Sequence, residues 1–326
     1  MTKPKIGFYW FGSCGGCEES QVDIAEKILD VVQAVDIVIW PVALDFKDDD
    51  LENMEDKSLV ASFINGGIIH SEHRKMAELL RKKSKYIFAY GACSYLGGVP
   101  GLENGSTKEK LIKTIYKETP GTVKPEGTMP VEGIYKDGEK EFELPEIYKR
   151  VYSLDEVIDV DYYVPGCPPT PDLFMDVVKT LLSGKLPEKG YVFGSRKALC
   201  ADCPLNESKP DKVLVKEFKR PHEVVLDPEK CYLTQGVICL GPVTRGGCGS
   251  LCINGNMPCT GCFGPLDGVK DYGAKALSYI TSIVDSADFD EIDRIMAKIP
   301  DPLGTFYRYS LPHSLMNLRK LNGGEK

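Results

Sequence analysis

The sequence predicts a doubly wound α/β fold in its N-terminal part, followed by an irregular, cysteine-rich part that ends in helices. Apolar, strand-like runs alternate with segments of helical period up to about residue 186. After that point the alternation stops, and residues 187–270 hold eight of the 12 cysteines together with many glycines and prolines. We expect this segment to bury too little apolar surface to hold itself together, with metal ligation in place of the missing core. Helical periodicity returns near residue 273. We therefore expect two domains, residues 1–186 and residues 187–326.

Short apolar runs bounded by turn residues are the predicted strands of the first domain. They lie at residues 6–10, 35–40, 59–64, 86–90 and 160–164. Residues 119–150 are rich in proline, glycine and charge, and we expect an excursion there with one hairpin. The alternation of these strands with helices has the rhythm of a flavodoxin-like sheet.

Amphipathic helices are predicted between the strands. Residues 18–32 and 71–83 carry apolar side chains at helical spacing, and a further helix ends at Gly184. The expected N-caps of the later helices are Ser71, Ser106 and Thr170. In the helix that ends at Gly184, the expected apolar face consists of Leu173, Phe174, Val177, Val178, Leu181 and Leu182.

The composition is that of a soluble globular chain, with 42% hydrophobic residues, 27% charged residues and a net charge of −8. The negative charge argues against nucleic acid and anionic membranes as partners. No apolar run approaches the roughly 18 residues of a membrane span. The first predicted strand follows the N-terminus too closely for a secretory signal. We therefore expect a cytoplasmic location, without a membrane span.

Four cysteines follow three of the predicted strands. Cys14 and Cys17 form a CxxC motif in a glycine-rich turn after the first strand, Cys93 follows the fourth strand, and Cys167 follows the fifth. Because ligands of open α/β sheets gather beyond the carboxyl ends of the strands, we expect these thiols at one edge of the sheet. In a reducing compartment disulfides are not expected, and grouped cysteines near turns favour metal or cluster ligation.

The chemistry of this first group suits three kinds of site. A CxxC pair on a βα turn is also typical of a thioredoxin-like redox pair, and cysteine sets also bind zinc. The two further cysteines at matching strand ends complete the four soft ligands of a 4Fe–4S cluster. The cluster is the interpretation that we favour.

The remaining eight cysteines fit two more four-thiolate sites. Filling the sites in chain order gives one site with Cys200, Cys203, Cys231 and Cys239 and another with Cys248, Cys252, Cys259 and Cys262. Two structural zinc sites are the rival interpretation, because CxxC pairs also occur in zinc ribbons. The cluster-like site in the first domain favours iron–sulfur chemistry, since three redox centres form an electron-transfer chain.

Other common functional motifs are missing from the sequence or have an ordinary explanation. There is no GxGxxG after a strand, no P-loop and no GxSxG. No histidine lies at metal-ligand spacing from the cysteines, and His70 and His73 are expected to form a solvated surface pair. Glu18 and Glu19, beside Cys17, are expected to be ordinary acids of a first helical turn.

Three stretches resemble the signatures of NiFe-hydrogenase small subunits. They are the stretch from Gly12 to Glu18, the Gly-Ala-Cys-Ser run around Cys93 with Gly-Gly-Val-Pro after it, and the Gly-Cys-Pro-Pro run around Cys167. The eight later cysteines also fall in the order of this family, so that the resemblance covers nearly the whole chain. The sequence is most similar to the cytoplasmic, methyl-viologen-reducing type that is found with heterodisulfide reductase.

The resemblance implies three 4Fe–4S clusters and an electron-transfer function. The implied proximal ligands are Cys14, Cys17, Cys93 and Cys167, the medial ligands are Cys248, Cys252, Cys259 and Cys262, and the distal ligands are Cys200, Cys203, Cys231 and Cys239. The family's NiFe centre lies on a separate large subunit, where dihydrogen is oxidised or protons are reduced. This chain is then expected to relay electrons between the large subunit and a further iron–sulfur or flavin subunit.

Two positions differ from the periplasmic members of the family. Cys200 stands where those members usually have a histidine, and Cys252 supplies a medial thiolate that they often lack. An all-thiolate chain carries more negative charge and is expected to have lower reduction potentials. The related complex I subunit has two adjacent cysteines at this place, so the CxxC spacing of Cys14 and Cys17 argues against that relative.

Two other classes of function stay open, an electron carrier of a different redox complex and a zinc-stabilised interaction module. The final electron acceptor also stays open.

Overall fold

The computed structural model describes residues 3–121, 123, 129–130 and 132–317. Strands and helices alternate along the first half of this part of the chain. The strands are β1 (Lys5–Trp10), β2 (Asp36–Ile39), β3 (Leu59–Asn65), β4 (Ile68–His70), β5 (Ser84–Tyr90), β6 (Gly133–Asp137), β7 (Lys140–Leu144), β8 (Ile147–Tyr152), β9 (Tyr162–Val164) and β10 (Tyr191–Val192). The helices are α1 (Gly16–Val22), α2 (Ile28–Ala34), α3 (Asp48–Glu52), α4 (Ser71–Lys83), α5 (Ala92–Leu96), α6 (Lys108–Lys113), α7 (Pro171–Leu182), α8 (Leu251–Asn254), α9 (Tyr272–Ser282), α10 (Phe289–Met296) and α11 (Pro302–Phe306).

A six-stranded parallel sheet has the strand order β10-β9-β5-β3-β1-β2. Counted along the chain within this sheet, the order is 2-1-3-4-5 with one more strand at the edge, which is one common doubly wound arrangement. All five predicted strands are present, and the predicted parallel α/β sheet is confirmed. The sixth strand, β10, was not predicted and begins after residue 186, where we placed the end of the first domain.

Both faces of the sheet are covered, as expected for parallel strands. On one face Phe8 and Phe63 pack in a cluster with Val177 of α7. On the other face Ile87 packs in a separate cluster with Leu80 of α4. Because side chains of successive strand residues point to opposite faces, one strand contributes to both layers. The carboxyl edge between the layers remains accessible to loops.

Three predictions about the helices are wrong. The single helix expected over residues 18–32 is interrupted between α1 and α2, where Ala25 has a φ of +54°. The N-cap of α4 is His70, whose ring accepts a hydrogen bond from the main-chain nitrogen of His73, and the N-cap of α6 is Thr107. These one-residue shifts reflect which side chain reaches the free N–H groups of the first turn. Thr170 caps α7 as predicted.

Two further expectations have mixed outcomes. The predicted hairpin is present as the exposed pair β6 and β7, and in addition β8 pairs antiparallel with β4. Residues 122, 124–128 and 131 of this excursion lie outside the described residues. On α7 five of the six expected apolar residues are buried, but Leu182 is 41% exposed.

The second half of the chain has a hydrophobic core of its own. Buried side chains from Val215, Leu233, Val243, Ile280 and Phe306 belong to one continuous cluster. We expected this region to bury too little apolar surface to hold itself together, and that expectation is wrong. The physical reason is that α9, α10 and α11 contribute residues to the same cluster and cover the irregular segment.

The last described residues return to the first half of the molecule. The main-chain nitrogen of Gly98 donates a hydrogen bond to the carbonyl oxygen of Tyr309 at 3.1 Å. The Nε2 atom of His313 lies 3.5 Å from an oxygen of Asp155, which also accepts a hydrogen bond from Tyr163. The C-terminal segment is thereby attached to the loop that follows α5.

We expect the His313–Asp155 pair to stabilise the protein most in mildly acidic solution. Hydrogen bonding to Asp155 raises the pKa of His313 above its ordinary 6.5, and burial opposes this. Burial acts to raise the pKa of Asp155, but hydrogen bonds from His313 and Ser153 hold it below its ordinary 3.8. The histidine contribution is complete below about pH 6.5 and is lost as the pH rises through the raised pKa. The carboxylate contribution is present above about pH 4 and is lost in stronger acid.

A His313→Gln variant should therefore lose stability at pH 6 and lose less at pH 9. Because the His313 side chain is 41% exposed, solvent screens the pair. The expected loss in the free energy of unfolding at pH 6 is about 0.5 kcal/mol. Denaturant unfolding at the two pH values measures it, with exposed His222→Gln as the control. An equal loss at both pH values would show that the ion pair does not contribute.

Candidate metal centres

The first cysteine group lies at the carboxyl edge of the sheet, as predicted. Cys14 and Cys17 follow β1, Cys93 lies in α5 directly after β5, and Cys167 follows β9. Cys17 and Cys93 are buried, whereas Cys14 and Cys167 are exposed. Burial raises the pKa of Cys17 well above its ordinary value, and the charges of Cys93, Cys167 and Cys14 raise it further. All four thiols are therefore close enough to interact electrostatically.

Two glycines leave the space that this group occupies. A Cβ atom on Gly91 would lie 2.4 Å from the Sγ atom of Cys17, and one on Gly98 would lie 2.4 Å from the Sγ atom of Cys93. Both glycines have positive φ values, +88° and +59°, which side chains rarely adopt. Any larger residue at these positions would displace a thiol from the group.

The second group consists of the four thiols that chain order assigned together. Cys200, Cys203, Cys231 and Cys239 line one cavity, along with apolar side chains such as Leu199 and Tyr232. Burial raises the pKa of Cys200 to about 11 and that of Cys239 to about 12. The charges of Cys203 and Cys231 add to the increase in the pKa of Cys200, and those of Cys200 and Cys231 add to the increase at Cys239.

The third group lies between the other two. Cys248, Cys252, Cys259 and Cys262 line a cavity that Cys167 of the first group also lines. Burial raises the pKa of Cys262 to about 12, and the main chain of Cys167 opposes this increase. On the other side the main-chain nitrogen of Cys259 donates to the Sγ atom of Cys239 at 3.4 Å. The three groups therefore follow one another without a gap, in the order first, third, second.

The donor atoms of all three groups suit iron–sulfur clusters. Each group is made of four thiols and contains no histidine or carboxylate, and thiolate is the ligand of iron–sulfur clusters. Burial raises the pKa of thiols such as Cys93 and Cys239 to about 12, so that their ligation at neutral pH would release protons. Among the described residues no three His, Cys, Asp or Glu side chains stand close enough together to hold a single metal ion.

Glu18 is a buried member of this region that the sequence interpretation undervalued. It is 4% exposed, and its two carboxyl oxygens accept hydrogen bonds from the indole nitrogen of Trp40 and the side-chain amide of Asn65. Asn65 in turn accepts a hydrogen bond at 2.9 Å from Ser13, in the CxxC turn. Burial raises the pKa of Glu18, and the two hydrogen bonds oppose this. Only Glu19 is an exposed first-turn acid as expected.

Replacing Glu18 with glutamine should lower the free energy of unfolding by about 1–3 kcal/mol. The N–H group of the new amide would face another donor and would have no acceptor. Trp40 can only donate, and turning the Asn65 amide would break the hydrogen bond that its nitrogen donates to the carbonyl of Tyr9 at 3.3 Å. Chemical denaturation under anaerobic conditions measures the effect. Exposed Glu19→Gln is the matched control and should change the free energy of unfolding by less than about 0.5 kcal/mol. Equal behaviour of the two variants would contradict the network.

The histidine prediction is also wrong. His70 and His73 are half-buried rather than solvated, and their ring centres lie 3.5 Å apart. Burial lowers the pKa of His73 to about 3, and the charge of His70 lowers it further. The His73 ring nitrogen accepts a long, 3.5 Å hydrogen bond from the main chain of Ile69. Both rings therefore accept main-chain hydrogen bonds at the start of α4.

Comparison with known proteins decides the family. An iron–sulfur subunit of the F420-non-reducing hydrogenase from Archaeoglobus profundus is 41% identical over 96% of this chain and 98% of its own length. The chain belongs to the NiFe-hydrogenase small-subunit family. A subunit of the F420-non-reducing hydrogenase from Methanothermobacter thermautotrophicus is 37% identical over 97% of both chains. Residues 14–181 match the family model described as NADH ubiquinone oxidoreductase, 20 Kd subunit.

A solved structure shares the fold of this hydrogenase-family chain. The NiFeSe hydrogenase from Desulfovibrio vulgaris Hildenborough matches 82% of this chain and 95% of its own with a TM-score of 0.52, at 16% identity. The resemblance that the sequence motifs indicated is confirmed, and the chain is a subunit of an oxidoreductase of the hydrogenase class. No described helix is both long and apolar enough to cross a membrane.

Proposed function

We propose that this chain carries electrons between the NiFe site of a hydrogenase large subunit and an external acceptor through three 4Fe–4S clusters. One observation carries the proposal. The three four-thiol groups follow one another: Cys167 of the first group lines the cavity of the third, and Cys259 of the third group donates a main-chain hydrogen bond to Cys239 of the second. Electron transfer needs such a series of closely spaced redox centres, whereas a structural metal site needs no neighbour.

Each group would hold one cluster, which supplies a one-electron redox step when bound. The proximal cluster would be held by Cys14, Cys17, Cys93 and Cys167, the medial cluster by Cys248, Cys252, Cys259 and Cys262, and the distal cluster by Cys200, Cys203, Cys231 and Cys239. Residues 1–186 would form the flavodoxin-like domain of the proximal cluster. Residues 187–326 would form the domain of the medial and distal clusters. Strand β10 of this domain pairs with β9 in the sheet of the first domain.

The large subunit would bind at the sheet edge that carries the exposed thiols of Cys14 and Cys167. Val99, in the loop after α5, is 45% exposed at this edge, and Trp10 is 38% exposed beside the CxxC turn. Apolar side chains on the surface of such an edge fit a permanent partner. A further iron–sulfur or flavin subunit would take the electrons at the distal cluster, and we expect the complex in the cytoplasm.

Co-purification of nickel with the tagged chain tests this function. We expect nickel and a large subunit with the wild-type chain and with Val225→Glu, a control at a side chain that is 99% exposed elsewhere. Val99→Glu should lose both while its iron content is unchanged, because a charge would be buried in the interface. Iron without nickel in the wild type would instead support the alternative, an electron-transfer subunit of another redox complex.

A further inference from the structure

Arg245 is a buried cation in the chain segment that leads into the third cysteine group. Its side chain is 2% exposed and is one of the largest fully buried side chains in the described part of the chain. It precedes Cys248 by three positions. Its main-chain nitrogen donates at 3.0 Å to the carbonyl of Gly264, which follows Cys262 by two positions. Arg245 thus connects the two loops that supply the thiols of this group.

The guanidinium has fewer partners than its donors require. One terminal nitrogen donates to the carbonyl of Ser195 at 3.1 Å, and the other is bonded to a carboxyl oxygen of Asp267. The Nε–H group has no hydrogen-bond partner within the described part of the chain. The Asp267 side chain is 50% exposed, so that water screens its negative charge while the arginine charge stays buried. The positive charge is therefore only partly neutralised.

The segment bonded to Arg245 also packs against α5, the helix that contains Cys93. Burial raises the pKa of Tyr95 to about 12, and the positive charge of Arg245 opposes this increase. Tyr95 lies in α5, two positions after Cys93. A Cβ atom on Gly264 would lie 2.8 Å from the Leu96 side chain, so the loop bonded to Arg245 packs directly on α5. Arg245 therefore lies where the helix of Cys93 meets the loop of Cys262.

Stability alone does not account for a cation at this position. Burying an ion costs several kcal/mol, and well-packed apolar residues in place of a buried ion pair are often no less stable. Four-thiolate clusters are negatively charged, and local charge and burial are among the factors that set their reduction potentials. A fixed positive charge favours the reduced cluster, which carries one more electron.

We propose that Arg245 raises the reduction potential of the medial cluster by keeping a buried positive charge beside the two loops that supply the medial thiols. This inference rests on the proposed function. It deepens that function, because a higher potential at the middle of the series would draw electrons from the proximal site. Asp267 would moderate the effect as the partial counter-ion of Arg245.

Redox titration followed by electron paramagnetic resonance tests the role on the purified complex, with the signal lost in Cys252→Ser assigned to the medial cluster. Arg245→Met should change the reduced-to-oxidised ratio of that cluster at fixed potential by about tenfold, a decrease of about 59 mV in potential. Asp267→Asn should raise the potential, and Arg245→Lys should stay close to wild type. The distal signal should move less than the medial one in every variant.

The signs separate a charge effect from a structural one. Arg245→Met and Asp267→Asn break the same ion pair, so a purely structural role would move the potential in the same direction in both. Such a common shift, or no shift at full iron content, would overturn the inference. If Arg245→Met assembles no medial cluster, a raised medial potential in Asp267→Asn together with a nearly unchanged potential in Arg245→Lys supports the inference, and an unchanged or lowered potential in Asp267→Asn overturns it. Absence of cluster signals from the wild type would instead overturn the proposed function.

Discussion

Replacing Cys203 with serine should slow the reduction of dyes by dihydrogen while the partner's isotope exchange with dihydrogen continues. Cys203 belongs to the group at the far end of the series, so its loss interrupts electron exit but leaves the large subunit untouched. Replacing Cys17, at the near end, should stop dye reduction as well. Each variant should lose about four of about twelve irons per chain, since under the proposed function each affected site would hold one four-iron cluster.

The two variants are controls for each other, because both remove one thiol from a four-thiol group. Isotope exchange, dye reduction and iron content are measured on the same preparations. Equal loss of isotope exchange and dye reduction in Cys203→Ser would contradict the electron-transfer series. It would mean that this group supports folding or subunit assembly instead.

Replacing Gly98 with alanine should unfold the loop beside Cys93 or expel its cluster. The new Cβ atom would lie 2.4 Å from the Cys93 Sγ atom and 2.6 Å from its Cα atom, and the backbone contact cannot be relieved by rotating a side chain. The φ of +59° adds strain of its own. We expect a loss of about 3 kcal/mol or more in the free energy of unfolding, from strain and overpacking together.

Gly190→Ala is the matched control, because Gly190 also has a positive φ, +87°, but no atom lies within 4 Å of the added Cβ. It should cost only the strain, about 1–2 kcal/mol, and should keep its full iron content. Denaturant unfolding and iron analysis compare the two variants. Equal losses in the free energy of unfolding would show that a Cβ atom can be accommodated beside Cys93.

The position of the first cysteine group could be predicted because it follows from strand topology. The apolar runs before Cys14, Cys93 and Cys167 are visible in the sequence, and parallel strands bring their carboxyl ends to one edge. The division of the other eight cysteines into two groups was a guess from chain order. In the structure these two groups line two different cavities, one of which Cys167 of the first group also lines.

Features that depend on distant residues were missed. Glu18 looks like an ordinary first-turn acid until Trp40 and Asn65 are placed beside it. The core of the second half was missed because its irregular segment has little periodicity, and its apolar residues are buried only against the C-terminal helices. Strand β10 contains two residues and carries no local signal. The break at Ala25 likewise lies inside a pattern with continuous helical spacing.

We propose that this chain holds three iron–sulfur clusters, and the decisive experiment is metal analysis of the anaerobically purified protein. We expect about twelve irons and twelve acid-labile sulfides per chain, without zinc, together with paramagnetic resonance signals after reduction. About four irons with zinc in the remaining sites would contradict it, because a single cluster could not carry electrons from the sheet edge to the far end of the series.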